Sequence, residues 1–365
     1  MSGRSCKRIA RTVLCLFVLA LQLAGCSAGY YWQAAVGQMR LVGGRQPVDE
    51  LLAQSDLSPT LRERLILSQE ALSFAHQELK LPDNGSYTTY YDTGHSYIVW
   101  NVFAAPEFSL QPQTWCFPIA GCIAYRGYFN PDKANKYAAK LATKSNDVYV
   151  GGITAYSTLG RFKDPVLNTM VSMPSLEFTG LLFHELAHQR LYIKDDSAFN
   201  EGFASVVEQI GVARWRGHRG LPADSIKTQA FVLQRQQVME LFAATRVQLE
   251  ALYLRDVPDI DKRPAKAAIL TALGDAYFHL LAQWQDAGWR ARPYEALMLQ
   301  GINNASLGAI ATYMNYVPAF QALYHECNES LDCFYRHCEQ LGALDVAPRE
   351  AALRTLQAGT AGSGL

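Results

Sequence analysis

Phe183-His184-Glu185-Leu186-Ala187-His188-Gln189, followed after a polar turn by Asn200-Glu201-Gly202-Phe203-Ala204-Ser205, decides how this chain is read. His184, Glu185 and His188 form an H-E-x-x-H pattern. On a helix, residues four apart share a face, so both imidazoles point the same way. Two neutral imidazoles supply half of a tetrahedral zinc site. Glu185 lies about 100° round the helix from His184, near enough to act on a water at such an ion. Leu181, Leu182, Phe183, Leu186 and Ala187 make the segment apolar on nearly every side, so the helix is expected to be buried. Burying two histidines and a glutamate without partners costs several kcal/mol, and a metal removes that cost.

A third ligand is required, and Glu201 is the first candidate. Twelve residues separate it from His188, enough to end one helix, turn through Lys194-Asp195-Asp196-Ser197 and start another. Asp196 or Ser197 is placed to cap the second helix, and Gly211 to end it. His184, His188 and Glu201 would then face one Zn2+, with water in the fourth position. Asp195 and Asp196 are the alternatives for the third ligand. A closed, purely structural site would need a fourth protein ligand, and no further Cys or His lies in 183–211.

These segments resemble the zinc and third-ligand segments of the aminopeptidase N-type gluzincins. The pattern of the metzincins does not fit, because Leu191 and Lys194 stand where its glycine and third ligand belong. Two departures from the gluzincin pattern are visible. The spacing between His188 and Glu201 is shorter than usual there, and the glycine-rich Met-Glu-Asn motif is missing. The whole mature chain more closely resembles a bacterial lipoprotein family labelled "predicted aminopeptidase". The likeness runs through Gly29-Tyr30-Tyr31-Trp32-Gln33-Ala34, Tyr125-Arg126-Gly127-Tyr128-Phe129, Ala155-Tyr156-Ser157-Thr158-Leu159-Gly160 and Asn303-Asn304-Ala305. The resemblance implies an α+β, zincin-like fold with a small mixed sheet, an active-site helix pair and a helical C-terminal part. It implies a zinc peptidase with Glu185 as general base, an aminopeptidase by default and an endopeptidase as the alternative. A non-catalytic envelope lipoprotein with a structural zinc is the reading from a different class.

Arg4, Lys7, Arg8 and Arg11 precede a short apolar run, Val13 to Leu21, and then Leu23-Ala24-Gly25-Cys26. This order reads as a signal peptide over 1–25 with a lipobox, and Cys26 as the lipidated residue. Ser27 resembles the sorting pattern of outer-membrane lipoproteins, which places the body in the periplasm of a Gram-negative envelope. Without residues 1–25 the chain carries 29 basic and 33 acidic residues, a net −4. That balance gives no reason to expect nucleic-acid binding. The expected partners are a peptide substrate and the membrane, reached through the lipid. Residues 26–365 are expected to be one catalytic unit, with sheet and active-site helices over about 26–211 and a helical part over about 212–358.

Five cysteines remain after Cys26. Cys116 and Cys122 are placed to close a tight loop, and two of Cys327, Cys333 and Cys338 to pair, which suits an oxidising compartment. Ser58-Pro59 starts a helix that reaches Leu81-Pro82. Tyr87 to Tyr91 and Tyr97 to Val102 read as a hairpin turning at Asp92-Thr93-Gly94. Tyr125 to Phe129 reads as a strand, Ala134 to Thr143 as a helix, and Asp147 to Tyr156 as a strand. In zincins an edge strand before the metal helix pairs with substrate, so Ala155, Tyr156 and Ser157 are assigned to substrate contact. Helices are expected over Asp224 to Arg255, Lys262 to Trp289 and Asn304 to Tyr324. A group that stabilises the oxyanion is sought among Tyr313, Tyr316, Tyr277 and His279, with Tyr313 preferred. Glu107 and Asp164 are the candidates for holding a free α-amine. Ser205, Glu208 and Asn200 are the candidates for bracing the imidazoles.

Overall fold

A computed structural model describes residues 29–117, 121–221 and 226–361, without the side chains of 226–229, 313–314 and 359–361. The signal segment over 1–25 and Cys26 lie outside the described residues. The described chain is mainly helical, with three small sheets. No described helix is long and apolar enough to cross a membrane.

Val99–Pro106 is the centre of the main sheet. It pairs antiparallel with Arg126–Tyr128 on one side and with Asn146–Ile153 on the other, in registers Trp100↔Tyr128 and Val102↔Val150. Side chains alternate across a strand. Val102 and Ala104 therefore meet the helix Pro131–Ala142 through Ala134 and Leu141. Phe103, between them, faces Ala305 and Ala309 of the helix Asn304–Met314. Both faces are covered, which is why this strand reads as a continuous apolar run rather than an alternating one.

The hairpin expected over residues 86–105 does not form. Thr89–Tyr91 pairs antiparallel with Gln46–Pro47 and parallel with Val166–Leu167. Asp92-Thr93-Gly94 does turn, with Asp92 Oδ1 accepting from Gly94 N at 2.8 Å. Thr93 N, however, donates to Asn168 Oδ1 at 2.9 Å, so the turn is tied to a different neighbour. Val99–Pro106 finds eight paired positions along Asn146–Ile153, whereas Thr89–Tyr91 offers three residues. The longer ladder decides the partner.

Ser58 caps the helix Pro59–Gln77, its hydroxyl accepting from Leu61 N at 3.3 Å. That helix packs on the pair Ser175–Arg190 and Ser197–His218. Phe178, Leu182, Phe183 and Leu186 from the first of the pair, and Phe203, Val206 and Val207 from the second, sit in the main core. Phe320 of Val317–Glu326, Phe334 of Leu331–Gly342 and Leu353 of Val346–Ala361 belong to the same core. The helices Ile226–Tyr253 and Asp259–Asp286 form a hairpin with its own cluster of Val238, Phe242, Leu249, Leu273, Tyr277 and Trp284.

Two further expectations give way to packing. The single helix from Asn304 to Tyr324 is two, Asn304–Met314 and Val317–Glu326, because Pro318 is tolerated only in a first turn. Gly211 does not end its helix, which continues to His218. A Cβ at Gly211 would lie 2.5 Å from the Phe183 ring, so this glycine serves the close approach of the two helices. Disulfides join Cys116 to Cys122 and Cys327 to Cys333, leaving Cys338 as a buried thiol.

Candidate metal centre

Ser175–Arg190 follows Pro174, which lies directly before the helix with a fixed φ of −53°. His184 and His188 each lie 8% exposed on it. The return loop is fixed by two side chains of the next helix. Asn200 Nδ2 donates to Ile193 O at 2.7 Å, and Asn200 Oδ1 accepts from Ile193 N at 2.7 Å. Asp196 caps the second helix, its Oδ1 accepting from Phe199 N at 3.0 Å. The Asp196 Oδ2 is held by Arg349 Nε at 2.8 Å. These contacts place Glu201 one turn inside the second helix, opposite the imidazoles.

The three side chains converge. His184 Nε2 stands 3.2 Å from His188 Nε2 and 3.3 Å from Glu201 Oε2, and His188 Nε2 stands 3.7 Å from the same oxygen. On the other side of the ring, His184 Nδ1 meets Glu208 Oε2 at 3.1 Å. Glu208 lies two helical turns beyond Glu201, on the same face. Ser205, between them, makes no described bond to either imidazole. His188 Nδ1 is buried with no hydrogen-bond partner among the described residues.

Electrostatics follow the geometry. Burial opposes charge on Glu201, but His188 and His184 outweigh it and hold the carboxyl down at about 2. Burial also opposes charge on His184, yet the carboxylates of Glu201 and Glu208 push its pKa well above the ordinary value. Glu185 is raised, with burial the largest cause and the two histidines pulling the other way. The cluster thus gathers acceptors that only a proton or a cation can reconcile.

These residues open on a cleft of about 520 Å³. Ala155, Tyr156 and Ser157 line it, beyond the end of the strand Asn146–Ile153 rather than within it. That strand is an edge of its sheet, and Gly152 and Ile153 also face the cleft. Tyr125 and Tyr192 line the cleft beside His188 and Glu201. Burial, then the Glu201 carboxylate, keeps both phenols protonated by raising their pKa. Neither tyrosine is singled out by the sequence reading. Tyr192 had a usable signal, four residues after His188, and Tyr125 begins one of the family-like segments.

Other candidates are elsewhere. The backbone of Tyr313 is on the helix Asn304–Met314, and its side chain lies outside the described residues. Tyr316 precedes the helix Val317–Glu326, with its Cβ packed beside Gly202. Tyr277 and His279 belong to the separate helical hairpin, where the Tyr277 hydroxyl donates to Pro293 O at 3.0 Å and His279 meets Gln283 at 3.0 Å. Glu107 is paired with Arg263 at 2.7 Å. Asp164 is 1% exposed and accepts from Thr158 N at 2.9 Å and Thr158 Oγ1 at 2.5 Å within its own turn. Asp195 accepts from Cys122 N at 2.5 Å. A local turn, a distant backbone amide and an ion pair therefore use the carboxylates that the sequence left open for the metal or the amine.

No curated protein and no solved structure matches this chain. A family model described as "Putative aminopeptidase" matches residues 29–353, which include every residue of the centre. On that match, the chain belongs to the family so described.

Proposed function

We propose that this chain is a zinc-dependent peptidase of zincin type, with His184, His188 and Glu201 as the metal ligands. The observation that carries the reading is the spacing of their donor atoms. Donors about 2.0–2.1 Å from one ion at the tetrahedral angle stand about 3.3–3.4 Å apart. The separations here are 3.2, 3.3 and 3.7 Å. Two buried imidazoles and a half-buried carboxylate kept ionised, held at that spacing beside the cleft, suit a divalent cation.

When bound, zinc would act as a Lewis acid and lower the pKa of a bound water. Glu185, next to His184 and lining the same cleft, would serve as general base, holding a proton at its carboxylate and returning it to a leaving amine. In the metal-free chain burial raises its pKa, with the two histidines pulling the other way. Glu208, 3.1 Å from His184 Nδ1, would hold the ring with its proton there, leaving Nε2 as the nitrogen that would hold the metal. The phenol of Tyr125, protonated and lining the cleft, is placed to donate to the oxyanion, and Tyr192 lines the same cleft. Extended substrate backbone is placed along Gly152 to Ser157. The lipobox at Cys26 would tether this body to a membrane surface.

Endopeptidase action is favoured as a second reading by one observation. The described carboxylates of the cleft are Glu185, Glu201 and Glu208, all already engaged with the centre. Glu107 and Asp164, the candidates for anchoring a free amine, are occupied elsewhere. The test is a metal titration and an assay on the native chain and on Glu185→Gln, with free and N-blocked peptides. The native chain is expected to bind about one zinc per molecule. The variant is expected to bind it equally and to lose hydrolysis. Equal inertness of both chains would sink the reading. Cleavage of N-blocked peptides at the same rate as free ones would decide for the endopeptidase.

A further inference from the structure

The helix over residues 29–44 contains no acidic residue, and Arg40 is its one charged side chain. At 100° per residue, Tyr31, Ala35, Met39 and Trp32 fall within an arc of about 100°, and Tyr30, Gln33, Ala34, Gly37 and Leu41 lie opposite. The inner side is firmly docked. Gln33, 6% exposed, accepts from Phe129 N at 3.2 Å. The Arg126 guanidinium lies 3.9 Å from the centre of the Tyr30 ring. A Cβ at Gly37 would collide with Phe129 at 2.2 Å. The outer side is bare over its first turns, with Trp32 69%, Met39 60% and Tyr31 47% exposed, while Val42, at the end of the same arc, packs on the core.

An exposed tryptophan, tyrosine and methionine on an otherwise uncharged arc need an explanation. The chain just before this helix supplies one. The apolar run Val13 to Leu21 and the lipobox cysteine Cys26 precede it closely. Three residues separate the Cα of Cys26 from that of Gly29, a reach of at most about 11 Å. An acyl group on Cys26 would therefore hold the outer arc within reach of a bilayer surface. Tryptophan and tyrosine are the residues that settle at the headgroup level, with an apolar ring body and a polar tip.

We infer that the outer face of helix 29–44, through Tyr31, Trp32 and Met39, rests in the headgroup region of a lipid bilayer. The inner face of the same helix supplies Tyr30 and Ala34 to the cleft that holds His184 and Glu201. One rigid helix would thus fix the cleft beside the membrane. A loose tether at Cys26 alone would leave the cleft free to turn away.

The test reads fluorescence and does not depend on hydrolysis. Full-length lipid-modified chain is reconstituted into phosphatidylcholine–phosphatidylglycerol vesicles brominated at shallow acyl positions. Emission is compared with that in unbrominated vesicles, for the native chain and for Trp32→Phe. The chain has six tryptophans. Bromination is expected to quench the native chain by up to the share of one tryptophan in six, and to leave Trp32→Phe unchanged. Equal quenching of both chains, or of neither, overturns the assignment. Absence of quenching together with concentration-dependent shielding of Trp32 from iodide would assign the face to a second copy of the chain instead. Thermal melting of Trp32→Phe is expected to match the native chain, because the side chain is on the surface.

Discussion

Glu201 and Glu208 stand two turns apart on one helix and take opposite nitrogens of the same imidazole, Nε2 and Nδ1 of His184, at 3.3 and 3.1 Å. One straight helix therefore supplies both the candidate ligand and the group that orients its neighbour. Seven residues is close to two whole turns, so the two carboxylates share a face without any bend.

Glu208→Gln should weaken metal binding while leaving the fold intact. An amide no longer carries the charge that fixes the Nδ1 proton of His184. Loss of such an outer partner typically costs about 10–100-fold in metal affinity. A competition titration with a chromophoric chelator measures it. Unchanged affinity would show that Glu208 has no hold on the ring.

Metal affinity should rise with pH across the acidic and neutral range. In the metal-free chain the pKa of His184 is pushed up by Glu201 and Glu208, so a proton competes for the position of the ion. Below that raised pKa, each unit of pH is expected to change affinity about tenfold, flattening above it. The same sign governs the stability of the metal-free fold. The charged His184 stabilises it fully below the ordinary histidine range, and that contribution is lost as pH rises through the raised value. Glu201 works with the opposite sign and only in acid: its carboxyl, held at about 2 in the folded chain against about 4.5 ordinarily, contributes stability that is present above about 4.5 and lost as pH falls towards 2. Titrations at several pH values check both statements, and an affinity that falls with pH would contradict them.

Gly211→Ala should destabilise the chain, whereas Gly217→Ala on the same helix should not. A Cβ at Gly211 would lie 2.5 Å from the buried Phe183 ring and 2.9 Å from Leu79, and overpacking of this kind costs about 1–3 kcal/mol. Around Gly217 there is open space, and alanine there is expected to gain about 0.5–1 kcal/mol. Denaturant unfolding of the two variants separates them. Metal affinity should fall only for the first, because Phe183 adjoins His184.

Asn200→Leu should unlock the loop between the two helices. The substitution orphans Ile193 N–H and C=O, each now bonded at 2.7 Å, at about 1–3 kcal/mol for each buried group. Hydrogen exchange at Ile193 and its neighbours should speed up. Protection equal to the native chain would show that the clamp is dispensable.

The pairing of the carboxylate with the imidazoles was legible because it depends on local rules. His184 and His188 share a face through helical periodicity, and Glu201 follows after a loop of ordinary length. The hairpin over 86–105 was misread because strand pairing is a competition between distant segments. The sequence near Asp92-Thr93-Gly94 could not show that Asn146–Ile153 offered the longer ladder.

By itself, then, the sequence determined the histidine pair, the general-base candidate between them, the third-ligand candidate and the tightly looped cysteines Cys116 and Cys122, all features of short range or fixed period. Only the tertiary structure decided which polar groups gather at the centre. Asp164, Asp195, Asp196 and Glu107 are spent on a turn, a loop, a cap and an ion pair, while Glu208, Tyr125 and Tyr192 are brought to the cleft. The physical reason is that hydrogen bonding of a carboxylate or phenol depends on whichever groups folding places within about 3 Å of it, a condition that spacing along the chain does not encode.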